Sequence, residues 1–208
     1  MKPMSGSAKR ETRAYGIRVL LSRHPEIRRL KRLNTPMVHG TRHWNTSWLL
    51  IDYLKRHGLP RKAHVMELGC GWGLAGIYCA KKHGATVTCV DIDAEVFPYL
   101  RLHADINKVD ISVMNKGFDG LTGRLLKGVD VLIGADICFW DNMIDPLKRL
   151  ILRALRKGVR LVVIADPGRS PFHQLCEYFL EKRGADALDW TTGRPRRIGG
   201  RLLTIGSG

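Results

Sequence analysis

The stretch "MELGCGWGLAG", Met66–Gly76, packs several chemistry-bearing residues into one turn. Glycines after a strand let the backbone turn tightly and approach a ligand at the N-terminus of the following helix. Gly71, Gly73 and Gly76 satisfy the G-x-G-x-x-G spacing of dinucleotide sites. S-adenosylmethionine sites need the same backbone freedom, so the glycines alone do not choose between the two ligands. Charge does. A pyrophosphate carries about two negative charges and is held by backbone N–H groups at the positive end of a helix dipole. Glu67 stands two residues before Gly69, at the strand end, and would set a carboxylate beside that pyrophosphate. S-adenosylmethionine has no phosphate; its ammonium tolerates or uses an acid there, directly or through a water. The spacing is therefore read as Glu67-x-Gly69-x-Gly71-x-Gly73, with Gly76 as a helix-packing glycine. A second acid, Asp91, closes "VTCVD" and is placed to accept hydrogen bonds from the two vicinal ribose hydroxyls. Its structural alternative is a helix N-cap, a role that suits Asp93 better.

These residues need strand ends on one rim. From Trp44 onward the sequence supplies them. Trp44–Arg56 is helical and is ended by Gly58-Leu-Pro60. Strand-like segments follow at Ala63–Leu68, Thr86–Val90, Ile111–Met114, Val129–Ala135 and Arg160–Ala165. Helical segments alternate with them at Leu74–His83, Ala94–Asn107, Asp141–Arg156 and Pro171–Arg183. Ala187–Thr191 and Arg201–Ile205 read as a closing antiparallel pair. The expectation is an α/β fold, a mostly parallel seven-stranded sheet flanked by helices, whose ligand lies beyond the strands' carboxyl ends.

Ahead of this domain, residues 1–12 are small, polar and basic, and expected to be disordered. Glu11–Leu33 reads as one or two basic amphipathic helices, broken near His24-Pro25, with apolar residues at Ile17, Leu20, Leu21, Ile27, Leu30 and Leu33. The division expected is a basic helical N-terminal extension over 1–35 and the α/β domain over 36–208.

Charge and cysteines bound the function. The 35 Lys and Arg against 19 Asp and Glu give a formal +16, a field that draws in polyanions and acidic partners, unless it is only a solvated surface. Five cysteines without C-x-x-C spacing point to reduced thiols and a cytoplasmic protein. No apolar run approaches the roughly 20 residues that span a bilayer, and the first residues offer no apolar core for a secretory signal. His39 and His43 are four apart but no acid or cysteine nearby completes a ligand set, so no metal is expected.

"VMELGCGWG", "VTCVDID" and "VDVLIGADICFW" together resemble motifs I, II and IV of class I S-adenosylmethionine-dependent methyltransferases, over about residues 37–206. The resemblance implies a Rossmann-like fold with S-adenosyl-L-methionine as cofactor. It implies that Gly69 and Gly71 contact the methionine part, and that Asp91, with Ile92, holds the ribose. It places Phe118 or Asp119 where the family contacts adenine, and Asp136 facing the methyl group. A closer likeness is to the methyltransferase-16-like branch, through Asp136-Ile-Cys-Phe139 and through Trp44 in "GTRHWNTSWLL". "VVIADPGRSPF" is similar to the Asp-Pro-Gly-Arg turn of the lysine methyltransferases that act on the electron-transfer flavoprotein β-subunit. The basic N-terminal segment stands outside the resemblance.

If the acceptor is lysine, its amine must lose a proton, which at neutral pH costs about 4–5 kcal/mol. Desolvation near a sulfonium lowers that cost. Asp136 would hydrogen-bond and orient the amine, and Phe139 with Trp140 would wall its cationic form. The structural alternatives are a loop cap for Asp136 and core aromatics. The Asn/Asp-Pro-Pro-Tyr/Phe turn of enzymes that methylate planar amides and base amines is missing, and Cys138 reads as a packing residue. Arg169 either steers an acidic substrate or pairs with Asp166 to fix the turn. The leading expectation is a protein lysine methyltransferase acting on a partner with an acidic surface and not on a membrane. The alternatives are an RNA methyltransferase, a small-molecule methyltransferase or a non-catalytic basic module. The acceptor's identity, the number of methyls and the oligomeric state stay open.

Overall fold

Strand-forming β-branched residues alternate with helical segments along most of the chain. In the computed structural model, which describes residues 10–37, 40 and 42–206, this alternation becomes a layered sheet. The strands are β1 (Glu11–Ala14), β2 (Ile17–Leu20), β3 (His64–Leu68), β4 (Thr86–Asp91), β5 (Ser112–Asn115), β6 (Val131–Ala135), β7 (Leu161–Asp166), β8 (Asp186–Thr192) and β9 (Ile198–Ile205). The helices are α1 (Pro25–Leu33), α2 (Thr46–His57), α3 (Leu74–His83), α4 (Phe97–Asn107), α5 (Ile144–Arg156) and α6 (Ser170–Arg183).

Strands β3 to β9 form one seven-stranded sheet in the order β5-β4-β3-β6-β7-β9-β8. All neighbours are parallel except where β9 pairs antiparallel with β7 and β8. The chain winds outward from β3 in one direction through β4 and β5, then returns to β6 on the other side. The order therefore reverses between β3 and β6, where a crevice opens beyond the strand ends. Register sets the rim of that crevice: Leu68 lies opposite both Val90 and Gly134. The two faces of the sheet bury separate apolar clusters, one against α2, α3 and α4 and the other against α5 and α6.

Residues 11–20 depart from the sequence expectation. Instead of a basic amphipathic helix they form the β1–β2 hairpin, with Ala14 opposite Ile17. Tyr15 and Gly16 both take positive φ, +53° and +79°, as a two-residue hairpin turn requires. Thr12, Ala14, Ile17 and Val19 point inward, a two-residue alternation that outweighs the helical spacing of Ile17, Leu20 and Leu21. Side chains of α4 satisfy the hairpin's open edge: the Leu20 N–H donates to His103 Nε2, and Asn107 both accepts from Arg18 N and donates to Arg18 O. Only Pro25–Leu33 keeps the expected helix, with Ile27 and Leu30 buried. Of residues 1–12, expected to be disordered, Glu11 and Thr12 instead open β1; residues 1–9, and His39 of the His39/His43 pair, lie outside the described residues.

Candidate active site

Three strand ends build the crevice. After β3 the chain passes through Gly69, Gly71 and Gly73, all left-handed, with φ of +53°, +50° and +70°. A Cβ on Gly69 would lie 2.6 Å from Ile137 Cγ2, so the loop packs directly against the chain leaving β6. A Cβ on Gly71 would meet no protein atom within 4 Å, because Gly71 fronts the cavity. The Asp91 carboxylate braces this loop: Gly71 N–H donates to Oδ2 at 2.9 Å and Asp93 N–H to Oδ1 at 3.0 Å. Each oxygen keeps an acceptor position for another donor. The N-cap role falls to Asp93, whose Oδ1 accepts from Glu95 N–H.

After β6 the chain turns through Asp136, a non-glycine residue at φ +57°. Its carboxylate is 3% exposed. Arg169 Nη2 donates to Asp136 Oδ1 at 2.7 Å, and Arg169 Nη1 donates to Asp166 Oδ2, also at 2.7 Å. Asp166 Oδ1 in turn accepts the backbone N–H groups of Gly168 and Arg169, which folds the Asp-Pro-Gly-Arg turn. Asp136 Oδ2 is buried and has no hydrogen-bond partner of normal geometry among the described residues. Burial pushes the Asp136 carboxyl upward, against the Thr46 hydroxyl and the Arg169 guanidinium, which favour its charged form.

Aromatic rings complete that end. The Arg169 guanidinium lies 4.9 Å from the centre of the Phe139 ring, and Trp44 tilts against Phe139 at 6.2 Å. Trp140 packs on Phe139 at 5.7 Å but is 52% exposed and outside the cavity wall.

Together these segments enclose a cleft of about 840 Å³, counting its open mouth. Trp44, Asp136 and Phe139 line one part of it; Gly69, Gly71, Asp91, Ile92 and Phe118 line the rest. Asp119 turns away to pair with Arg149. Glu67, expected near the ligand's ammonium, is absent from the wall. It is 2% exposed and points beneath the loop, where Oε2 accepts Gly76 N–H at 2.8 Å and the Cys89 thiol at 3.4 Å. A Cβ on Gly76 would stand 2.7 Å from that oxygen, so the glycine lets helix α3 start against the carboxylate. Burial raises the Glu67 carboxyl to about 7.

A profile of the lysine methyltransferase family matches residues 33–183. The chain belongs to the lysine methyltransferase family. It is 30% identical over 135 residues to the protein N-terminal and lysine N-methyltransferase EFM7 of Cryptococcus neoformans, covering 59% of this chain and 45% of that relative. It is 27% identical over 139 residues to the electron transfer flavoprotein β-subunit lysine methyltransferase of Xenopus laevis, covering 64% of this chain and 56% of that one. The chain thus spans about half the length of the curated relatives it matches. Among solved structures, the methyltransferase domain of bacterial CtHen1 superposes with a TM-score of 0.60 at 15% identity, over 78% of this chain and 99% of that domain. That likeness shows the fold, the Rossmann-like class I architecture.

S-adenosylmethionine is the methyl donor that this family and fold imply, and the cleft has features that suit it. The glycine cradle opens at Gly71, Asp91 keeps acceptor positions at the rim, and among the described lining residues Lys116 alone brings a positive charge.

Sequence reasoning missed several lining residues, among them Gly40, Val96, Lys116 and Met143. Gly40 reaches the wall because Trp72 Nε1–H donates to its carbonyl at 2.8 Å, and Trp72 itself is stacked on Tyr99 and His103. A buried tryptophan with an indole N–H needs an acceptor, which is the signal that was available. Met143 and Lys116 line the cleft from loops with no motif of their own. All five cysteines are buried free thiols; burial raises that of Cys138 to about 12, as suits a packing residue. Among the described residues no group of three His, Cys, Asp or Glu could hold a metal, and no helix is long and apolar enough to cross a membrane.

Proposed function

We propose that this protein methylates a lysine side chain of a protein substrate, with S-adenosylmethionine as donor. The observation that carries the reading is the Asp136 carboxylate, held at the cleft with Oδ1 committed to Arg169 and Oδ2 left open. With only the Thr46 hydroxyl nearby and no hydrogen bond of normal geometry among the described residues, this buried acceptor gains stability when a ligand supplies a donor. An amine N–H is such a donor.

When bound, S-adenosylmethionine supplies an electrophilic methyl group for in-line displacement. The protein's own residues do the positioning. Gly69 and Gly71 give room for backbone contact, and Asp91 accepts the ribose hydroxyls beside the side chains of Ile92 and Phe118. Asp136 Oδ2 accepts an N–H of the incoming amine, fixing its lone pair in line. The rings of Trp44 and Phe139 exclude water and favour the amine over a hydrated ammonium, easing a deprotonation that costs about 4–5 kcal/mol in water. Burial raises the Asp136 carboxyl, and the Thr46 hydroxyl and the Arg169 guanidinium oppose that shift by favouring its charged, accepting form.

The test is to incubate lysate with the purified protein and methyl-tritiated donor, then digest separately with protease and ribonuclease. Label lost to protease and recovered as methyllysine after acid hydrolysis supports the proposal. Label lost to ribonuclease alone would show an RNA acceptor, the reading that the +16 charge favours.

A further inference from the structure

A second cleft adjoins the first and shares Trp44 with it. It holds about 1290 Å³ of open space between three separate segments: the residues after β2, the loop before α2, and the turn joining β8 to β9. Each segment contributes one exposed arginine, namely Arg23, Arg42 and Arg196. Nothing in the cleft neutralises them. No Asp or Glu among the described residues lines it, and none of the three arginines forms an ion pair among the described residues.

Two further features point to a ligand. Trp48, fully buried, forms part of the wall, and its indole N–H has no hydrogen-bond partner among the described residues. His43 is held neutral, lowered to about 4 by burial first and then by its charged neighbours, Arg196 and Arg42 among them. The cleft thus brings together three arginines and an unpartnered indole N–H with no lining carboxylate among the described residues.

We infer that this cleft binds an acidic segment of the polypeptide that carries the methyl-accepting lysine; the inference rests on the protein-methylating reading above. Arginine forks match carboxylates in a planar, two-bonded geometry, and three of them on separate segments suit acidic side chains spaced along an extended chain. Trp44 is the partition between the clefts, so a lysine near those acids reaches Asp136 past its ring. The rings here do not offer a stacking platform for bases. Trp44 carries the Arg42 guanidinium at 4.5 Å and Phe139 against it, Trp48 is buried, and His43 packs on Trp48 and Trp72.

The experiment uses fluorescein-labelled peptides with one lysine flanked by Asp and Glu, or by Asn and Gln, together with labelled oligouridylate of equal charge. Fluorescence anisotropy is read on the full chain and on the Arg23→Gln, Arg196→Gln double variant at low ionic strength. The expected result is binding of the acidic peptide over the neutral one, weakening with salt, and a loss of roughly fivefold or more in the double variant. Calorimetry of S-adenosylmethionine binding, unchanged in the double variant, shows that the fold persists. Equal binding of both peptides, no binding of the acidic peptide, or an undiminished double variant would overturn the inference. So would tighter binding of oligouridylate lost through the same substitutions. Should the wild-type protein bind the acidic peptide but not the methyl donor, the methyltransferase reading fails while the cleft assignment is separately read.

Discussion

Arg169 and Asp136, 33 residues apart in sequence, meet through a 2.7 Å hydrogen bond at the cleft, with the guanidinium's other arm on Asp166. One cation thus spans two buried carboxylates from neighbouring strand ends. Arginine rather than lysine is required, since a point charge cannot hold both in a fixed plane. Arg169→Lys is therefore expected to leave Asp136 more easily protonated. The acidic limb of the kcat–pH profile should move upward, because the protonated form gains wherever the counter-charge is displaced. An unmoved limb would separate Arg169 from the reaction.

Asp136→Asn tests the acceptor itself. Asparagine tolerates the left-handed backbone that Asp136 adopts, so the turn should survive. Turnover is expected to fall by roughly 10²–10⁴-fold, with donor affinity little changed in calorimetry. Retained turnover would remove this carboxylate from the chemistry.

Asp91→Ala removes the acceptor proposed for the ribose and also releases the N–H groups of Gly71 and Asp93. Affinity for S-adenosylmethionine should drop by roughly 100-fold, or about 3 kcal/mol, as titration calorimetry would read it. Circular dichroism should show the secondary structure intact.

Glu67 makes stability depend on pH. Its carboxyl is raised by burial from 4.5 to about 7, so the folded state binds the proton more tightly than the unfolded one. The sign follows: between about pH 4.5 and 7 stability declines as pH rises, and above that window the full penalty, roughly 3 kcal/mol, is present. Glu67→Gln keeps an oxygen for Gly76 N–H and cannot ionise. Wild type should lose melting temperature relative to this variant between pH 5 and pH 8; parallel curves would mean the carboxyl is not raised.

Trp72→Phe retains a ring for stacking on Tyr99 and His103 but deletes the donor to the Gly40 carbonyl. Urea unfolding should register a loss of about 1 kcal/mol. Donor affinity should weaken as well, since Gly40 forms part of the cleft wall.

The alternating strands and helices were legible because each carries its own punctuation. Gly84 closes α3 where the sequence places the stop, and Asp93 caps the turn before α4. The rim of the cleft was legible for the same reason: Asp91 closes a strand, and Gly69, Gly71 and Asp136 follow strand ends. What local pattern could not give was direction. Glu67 stands at the right strand end, yet its side chain serves the helix start below the loop. The β1–β2 hairpin was hidden because its partners are remote, and Tyr15 gains Trp48 and Asp52 only after α2 is in place. Arg23, Arg42 and Arg196 come together through three loops whose spacing in sequence carries no period.

Tyr15 has a longer reach still. Its hydroxyl donates to Asp52 Oδ1 and is hydrogen-bonded to the Thr192 hydroxyl, while Trp190 Nε1–H donates to the same Asp52. The earliest described strand is stitched to one of the latest through a single helix residue. During synthesis, then, the hairpin has no finished seat until β8 has been made, nearly the whole length of the described chain later. A nascent chain halted before Asp186 should leave Tyr15 open to protease, and completion should close that window abruptly.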